Sequence, residues 1–223
     1  DALTGGQSAH EIRGVVPAET QIAALIPDTI ERFPWAGHLG TRLVEPVVEA
    51  LEAAQTTLLF TNTRSQAELW HQALLRARPD WLAQIALHHG SLDRGLREQV
   101  EAMIADGRLR CVVATSSLDL GVDFSPVDQV IQIGSPKGVA RLLQRAGRSG
   151  HRPGVASRIL CVPTHAFELV EIAAARRKAM AGEVEARVPL TGALDVLSQH
   201  LVTRALGSTR DGGVDENALL AEV

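Results

Sequence analysis

The feature that most constrains this chain is the regular alternation of short apolar runs with longer amphipathic stretches. Strands are expected at Glu11–Val16, Thr57–Thr61, Ile85–His88, Arg110–Thr115, Gln129–Ile133 and Ser157–Val162. Several are rich in Val, Ile and Leu, as strands covered on both faces must be. Helices are expected between them, at Thr41–Ala54, Ser65–Ala77, Arg94–Ala105, Gly138–Gly147 and His165–Ala181. Ser65 and Asp93 are the expected N-caps, with Glu68 completing a capping box. Strand–helix alternation of this kind predicts an α/β fold, a mostly parallel sheet with helices on both faces. Ligands of such sheets bind beyond the carboxyl ends of the strands, in the loops that enter the helices.

Two stretches depart from the pattern. Gln21–Gly40 is interrupted by Pro27, Pro34 and Gly37 and is expected to wrap over the surface. After Pro189 a helix is expected over Leu194–Leu206, then a Gly-rich turn and a short helix starting near Asp215. Two helices of this size cannot bury a core of their own. The chain is therefore divided into a main domain, 1–188, and the start of a further domain, 189–223. It opens at Asp1 without methionine, which is read as a piece of a longer chain.

Composition bounds the partners. With 45% hydrophobic residues the chain can pack a core. A net charge of −4 leaves no broad basic surface, so any nucleic acid must be held in a local groove. Cys111 and Cys161 lie inside apolar runs and lack the spacing of a metal site, so none is expected. No apolar stretch approaches the roughly 20 residues of a membrane span, and no signal-peptide pattern is present. No membrane partner is expected, and a cytoplasmic location is.

Four expected strand ends carry unusual chemistry. Leu58–Arg64 brings Thr61, Asn62, Thr63 and Arg64 to a helix entry, where hydroxyls, an amide and a guanidinium suit phosphate or a plain helix cap. His88–Arg94 offers Gly90 and Ser91, whose backbone could approach a phosphate, beside two histidines of structural or catalytic use. Ala114–Phe124 releases Thr115, Ser116 and Ser117 together and then presents Asp123 after Gly121, a carboxylate suited to a ribose or to a turn. Gln144–Arg152 sets Arg145, Arg148 and Arg152 around glycines, a polyphosphate-binding arrangement or a solvated basic loop.

In order and spacing these loops resemble motifs IV, IVa, V and VI of superfamily 2 helicases. The wording of Glu31–Gly40, Leu58–Trp70, Ser116–Phe124 and Leu142–Gly154 is similar to the Lhr family, and within it to bacterial ligase-associated DEXH-box helicases. The resemblance implies the second RecA-like domain of an ATP-dependent DNA helicase, followed by the start of a winged-helix domain at 189–223. It implies that Arg148 is the arginine finger, with Asp123, Gln144, Gly121 and Arg152 on the ATP side. Thr61, Arg64, Ser91, Thr115 and Ser116 would hold a single DNA strand or a DNA/RNA hybrid, with translocation 3′-to-5′. The superfamily 2 motif usually ends Gly-Arg, whereas here Gly150 is followed by His151 and then Arg152, a departure that suits the Lhr pattern and leaves Arg152 between an ATP contact and none. Arg145 stands between an ATP contact and a structural ion pair.

What is missing matters equally. No G-x-x-x-x-G-K-[ST] loop exists, because the only lysines, Lys137 and Lys178, sit in other contexts. No strand ends in a DExH box, and Asp215–Glu216 follows a Gly-rich turn. ATP with Mg2+ is thus expected mainly on an upstream RecA-like domain, the chain alone being inactive as an ATPase. DNA ligase or nuclease partners are implied by the family likeness only. The competing reading is a stand-alone RecA-like nucleic-acid-binding adaptor without motor activity.

Overall fold

The computed structural model describes residues 20–26, 43–119, 127–149, 156–186, 192–207 and 215–221. Six strands form one sheet: β1 (Thr20–Ala24), β2 (Thr57–Phe60), β3 (Ile85–His88), β4 (Cys111–Ala114), β5 (Gln129–Ile133) and β6 (Ser157–Val162). Their order is β1-β6-β5-β2-β4-β3, and every pairing is parallel. Helices α1 (Val44–Glu52), α2 (Arg64–Ala77), α3 (Arg94–Ala105) and α4 (Val139–Ala146) lie in crossovers between strands, and α5 (Ala166–Met180) follows the last strand.

The two-residue period of the strands sorts their side chains between two cores. Leu58, Phe60, Val112, Ala114, Val130, Ile159 and Cys161 face one core, packed under Ile104 of α3, Leu142 and Ala146 of α4, and Ile172 of α5. Leu59, Cys111, Val113, Ile131, Ile133 and Val162 face the other, under Val47 and Leu51 of α1 and Trp70 and Leu74 of α2. Both cysteines are buried, and burial pushes the Cys161 thiol up to about 12.

Local chemistry sets the helix starts. Asp93 caps α3, accepting from the Gly95 amide at 2.8 Å. The cap of α2 is Thr63 and not Ser65: its hydroxyl accepts from the Gln66 amide at 3.2 Å, while Gln66 Oε1 accepts from the Asn62 amide. The box is thus closed by Thr63 and Gln66, and Glu68 is released for another partner. At α4 the cap comes from far along the chain, since Glu185 accepts from the Val139 and Ala140 amides at 2.5 and 3.0 Å. Gly138 is required there: its φ is +134°, and a Cβ would lie 3.1 Å from the Glu185 carboxylate.

One sequence expectation is corrected. Thr20–Ala24 is a strand in register with Ser157–Cys161, although it overlaps the stretch assigned to surface wrapping. It lies at the sheet edge, and Ile22 is its one buried residue, so it lacks a core-strand pattern. The expected strand Glu11–Val16 lies outside the described residues.

The chain divides into two compact units, Gly14–Glu185 and a second that includes Ala186–Val223. In the second, α6 (Leu194–Gly207) and α7 (Glu216–Ala221) are formed, and α6 buries none of its residues.

Candidate functional site

Because all strands are parallel, every loop leaving a strand's carboxyl end opens on one edge of the sheet. The neighbouring strands β2, β4 and β3 bring the first three motif loops side by side, about 5 Å per strand.

After β2, Thr61 turns inward. It is fully buried, and its hydroxyl donates to Thr63 O at 3.0 Å and lies 3.4 Å from Ala114 O. Asn62 donates to Ser135 O at 2.9 Å, tying this loop to the one after β5. Arg64 points outward, its Nε donating to Glu68 Oε1 at 2.7 Å. That hydrogen bond, aided by the Arg64 charge, holds the Glu68 carboxyl below its ordinary value against a smaller opposing effect of desolvation.

After β3, His88 is buried and joined to two elements. Its Nδ1 lies 2.8 Å from Ser117 Oγ, and its Nε2 3.0 Å from Glu101 Oε1 on α3. Burial depresses the ring's pKa, with Glu101 opposing. Ser91 is exposed, and a Cβ at Gly90 would point into open space. After β4, Thr115 and Ser117 are half-buried and Ser116 is exposed, in a 3-10 turn over Ser116–Leu118. Arg64, Ser91, Thr115 and Ser116 therefore share the accessible rim, and Thr61 lies behind it as a brace.

A second group forms around Asp119, at the end of that turn. Arg145 from α4 donates Nε to Asp119 Oδ1 at 2.8 Å and Nη2 to Oδ2 at 3.1 Å. Its Nη1 donates to Gln132 Oε1, and its guanidinium carbon lies 4.5 Å from the centroid of the Phe60 ring. With 1% of Arg145 exposed, every donor direction points into protein. Of the two roles left open for it, the structure assigns the ion pair. Arg148 donates Nη2 to the Asp119 carbonyl at 2.6 Å, and Gln144 reaches the same oxygen at 3.3 Å. Thus Arg148 and Gln144 converge on one backbone atom, whereas Arg145 takes the side chain. Asp123, Gly121 and Arg152 lie outside the described residues.

Sequence reasoning passed over Asp119 and Gln132. Gln132 carried a usable signal, an amide set between the apolar Ile131 and Ile133 of a buried strand. Asp119 carried less, since its carboxylate is explained by arginines of α4, Arg145 at 2.8 Å and Arg141 at 3.8 Å, that are distant in sequence. Among the described residues no three His, Cys, Asp or Glu side chains are grouped to hold a metal, and no helix is long and apolar enough to cross a membrane.

A six-stranded parallel sheet with these loops on its carboxyl edge is a RecA-like fold of the kind that helicase C-terminal domains have. Residues 42–153 match the family described as Helicase conserved C-terminal domain. ATP-dependent helicase Lhr-Core protein 2 of Thermococcus barophilus is 37% identical over 193 residues, 86% of this chain and 22% of that protein. Lhr helicase/probable uracil glycosylase of Mycolicibacterium smegmatis is 47% identical over 195 residues, 72% of this chain and 13% of that protein. The structure of Mycobacterium smegmatis helicase Lhr bound to ssDNA and AMP-PNP superposes with a TM-score of 0.80 at 31% identity, covering 98% of this chain and 28% of that one. The chain belongs to the helicase C-terminal domain family, as the C-terminal helicase domain of an Lhr-family superfamily 2 helicase. It spans less than a quarter of the length of these two relatives.

Proposed function

We propose that this domain supplies the arginine finger and half of the single-strand track of an ATP-driven DNA translocase. The observation that carries the reading is the convergence of Arg148 and Gln144 on the Asp119 carbonyl, at 2.6 and 3.3 Å. A catalytic guanidinium must be held in place before charge develops on the phosphoryl group, because reorganising it during reaction would raise the barrier. Asp119 does this through its backbone, while Arg145 locks the loop from behind.

Arg148 would stabilise the departing γ-phosphoryl of ATP held mainly by an upstream RecA-like domain. Gln144, with Gly121, Asp123 and Arg152 of the same motifs, would line that cleft. The phosphate-binding lysine and the Mg2+ ligands are assigned to the upstream domain, so this chain alone would not turn over ATP. Arg64, Ser91, Thr115 and Ser116 would grip the phosphates of a single DNA strand or a DNA/RNA hybrid, and Thr61 would set the loop that carries Arg64. The relative solved with ssDNA and AMP-PNP supports both halves of this reading. The winged-helix identity of 189–223, the ligase-associated subgroup and any ligase or nuclease partners rest on the wording of the motifs.

The test is DNA-stimulated ATP hydrolysis by the whole helicase carrying Arg148→Ala. Turnover should fall about a thousandfold or more, as for a lost arginine finger, with ssDNA binding kept. Turnover near wild type would remove Arg148 from the chemistry.

A further inference from the structure

His89 is 3% exposed, and neither of its ring nitrogens has a hydrogen-bond partner. A buried polar group left in this state costs free energy and calls for a reason. Its Nε2 stands 3.6 Å from Glu68 Oε1, too far for a hydrogen bond and within a small carboxylate shift of one. The same oxygen accepts from Arg64 Nε at 2.7 Å. One carboxylate oxygen therefore lies between two donors and is bonded to one of them.

The bonded donor is the weakly held one. Arg64 and Glu68 have side chains 60% and 39% exposed, and an exposed pair four residues apart on a helix gains little from its contact. A phosphate oxygen can take the guanidinium, since charge-assisted bonds to phosphate are strong. Glu68 would then stand as a bare carboxylate beside a phosphate, and their repulsion would work against binding.

We propose that His89 is a positioning residue for phosphate capture by Arg64. When nucleic acid binds, Glu68 exchanges the Arg64 guanidinium for the Nε2–H of His89, and the carboxylate is drawn away from the incoming phosphate. The buried donor is kept unpaired in the empty state so that it can accept the displaced carboxylate in the loaded one. The charged and titratable groups around the ring are Glu68 with Arg64 on α2, and His88 beside it, backed by Glu101 and Arg97 of α3. The inference rests on the reading of Arg64 as a nucleic-acid contact.

The experiment is anisotropy titration of fluorescein-labelled oligo(dT) with the chain and its variants. His89→Phe should weaken binding about twofold to fivefold, the range of a modest charge interaction. His89→Gln places an amide N–H near the position of Nε2 and should restore affinity. In a Glu68→Gln background, His89→Phe should have no effect, because no displaced charge remains. A purely structural His89 would weaken binding equally in both backgrounds, and that result overturns the proposal. So does wild-type affinity in His89→Phe. By NMR, the 15N signal of His89 Nε2 should move on adding oligo(dT) to the wild type and stay fixed in Arg64→Ala. If the chain does not bind oligo(dT), or Arg64→Ala binds as the wild type does, the reading of Arg64 itself fails and takes this inference with it.

Discussion

Arg145 and Asp119 face each other through two parallel hydrogen bonds, 2.8 and 3.1 Å long, in a site almost closed to water. The turn after β4 and helix α4 are thereby joined by a buried ion pair. Such a pair contributes little net stability against well-packed apolar residues, yet breaking it strands a charge in the interior. Its value here is register, since it fixes where the α4 arginines stand relative to the turn after β4.

Asp119→Ala or Arg145→Met, each alone, should lower the unfolding free energy by about 3–5 kcal/mol, read from urea denaturation. The double variant should cost less than the larger single loss, because no lone charge is left. Arg145→Lys should also be destabilising, since an ammonium cannot reproduce two bonds to Asp119 and one to Gln132. Additive losses would mean that the pair is not a unit.

His88 gives stability a pH dependence of definite sign. Burial lowers the ring's pKa below its ordinary 6.5, so the unfolded chain binds more protons in that region. Stability is therefore complete above about 6.5 and is lost as the pH falls through that value towards the lowered one. Half-buried His71 contributes in the same direction, its pKa depressed by desolvation. Thermal melts between pH 5 and 8 should show the decline. In His88→Gln the slope should be shallower, and an unchanged slope would place the titration elsewhere.

Two side chains compete on paper for the start of α2, and one substitution pair separates them. Thr63→Ala removes the observed cap and should cost about 1 kcal/mol, lowering Tm by about 2–4 °C. Ser65→Ala should stay within about 0.5 kcal/mol, as a surface change away from any cap does. The reverse ordering in a calorimetric comparison would return the cap to Ser65.

The parts of the fold legible in the sequence are those where one residue decides the matter locally. Asp93 ahead of an amphipathic run predicted α3 at Arg94–Ala105, where it lies. The strands Ile85–His88, Gln129–Ile133 and Ser157–Val162 were readable because they are apolar and bounded by polar loops. Near Thr63 the sequence offers Thr61, Asn62, Thr63 and Ser65 within one turn, and local pattern cannot choose among four capable caps. Thr20–Ala24 was hidden because an edge strand is held by backbone pairing to Ser157–Cys161, which leaves almost no side-chain trace. In the site, the outward Arg64, Ser91 and Ser116 follow from loop chemistry, whereas the inward turn of Thr61 and the burial of Arg145 depend on partners distant in sequence.

The Glu185 carboxylate also bears on how this protein can be dissected. It lies past the last helix of its unit, yet it covers two amides at the start of α4, 46 and 45 residues earlier in sequence. A fragment cut at Met180, where α5 ends, would keep every strand and helix of the sheet and still expose those amide protons to exchange with solvent. A fragment carried through Glu185 would keep them protected. The start of α4 thus depends on a single carboxylate that lies outside every helix and strand.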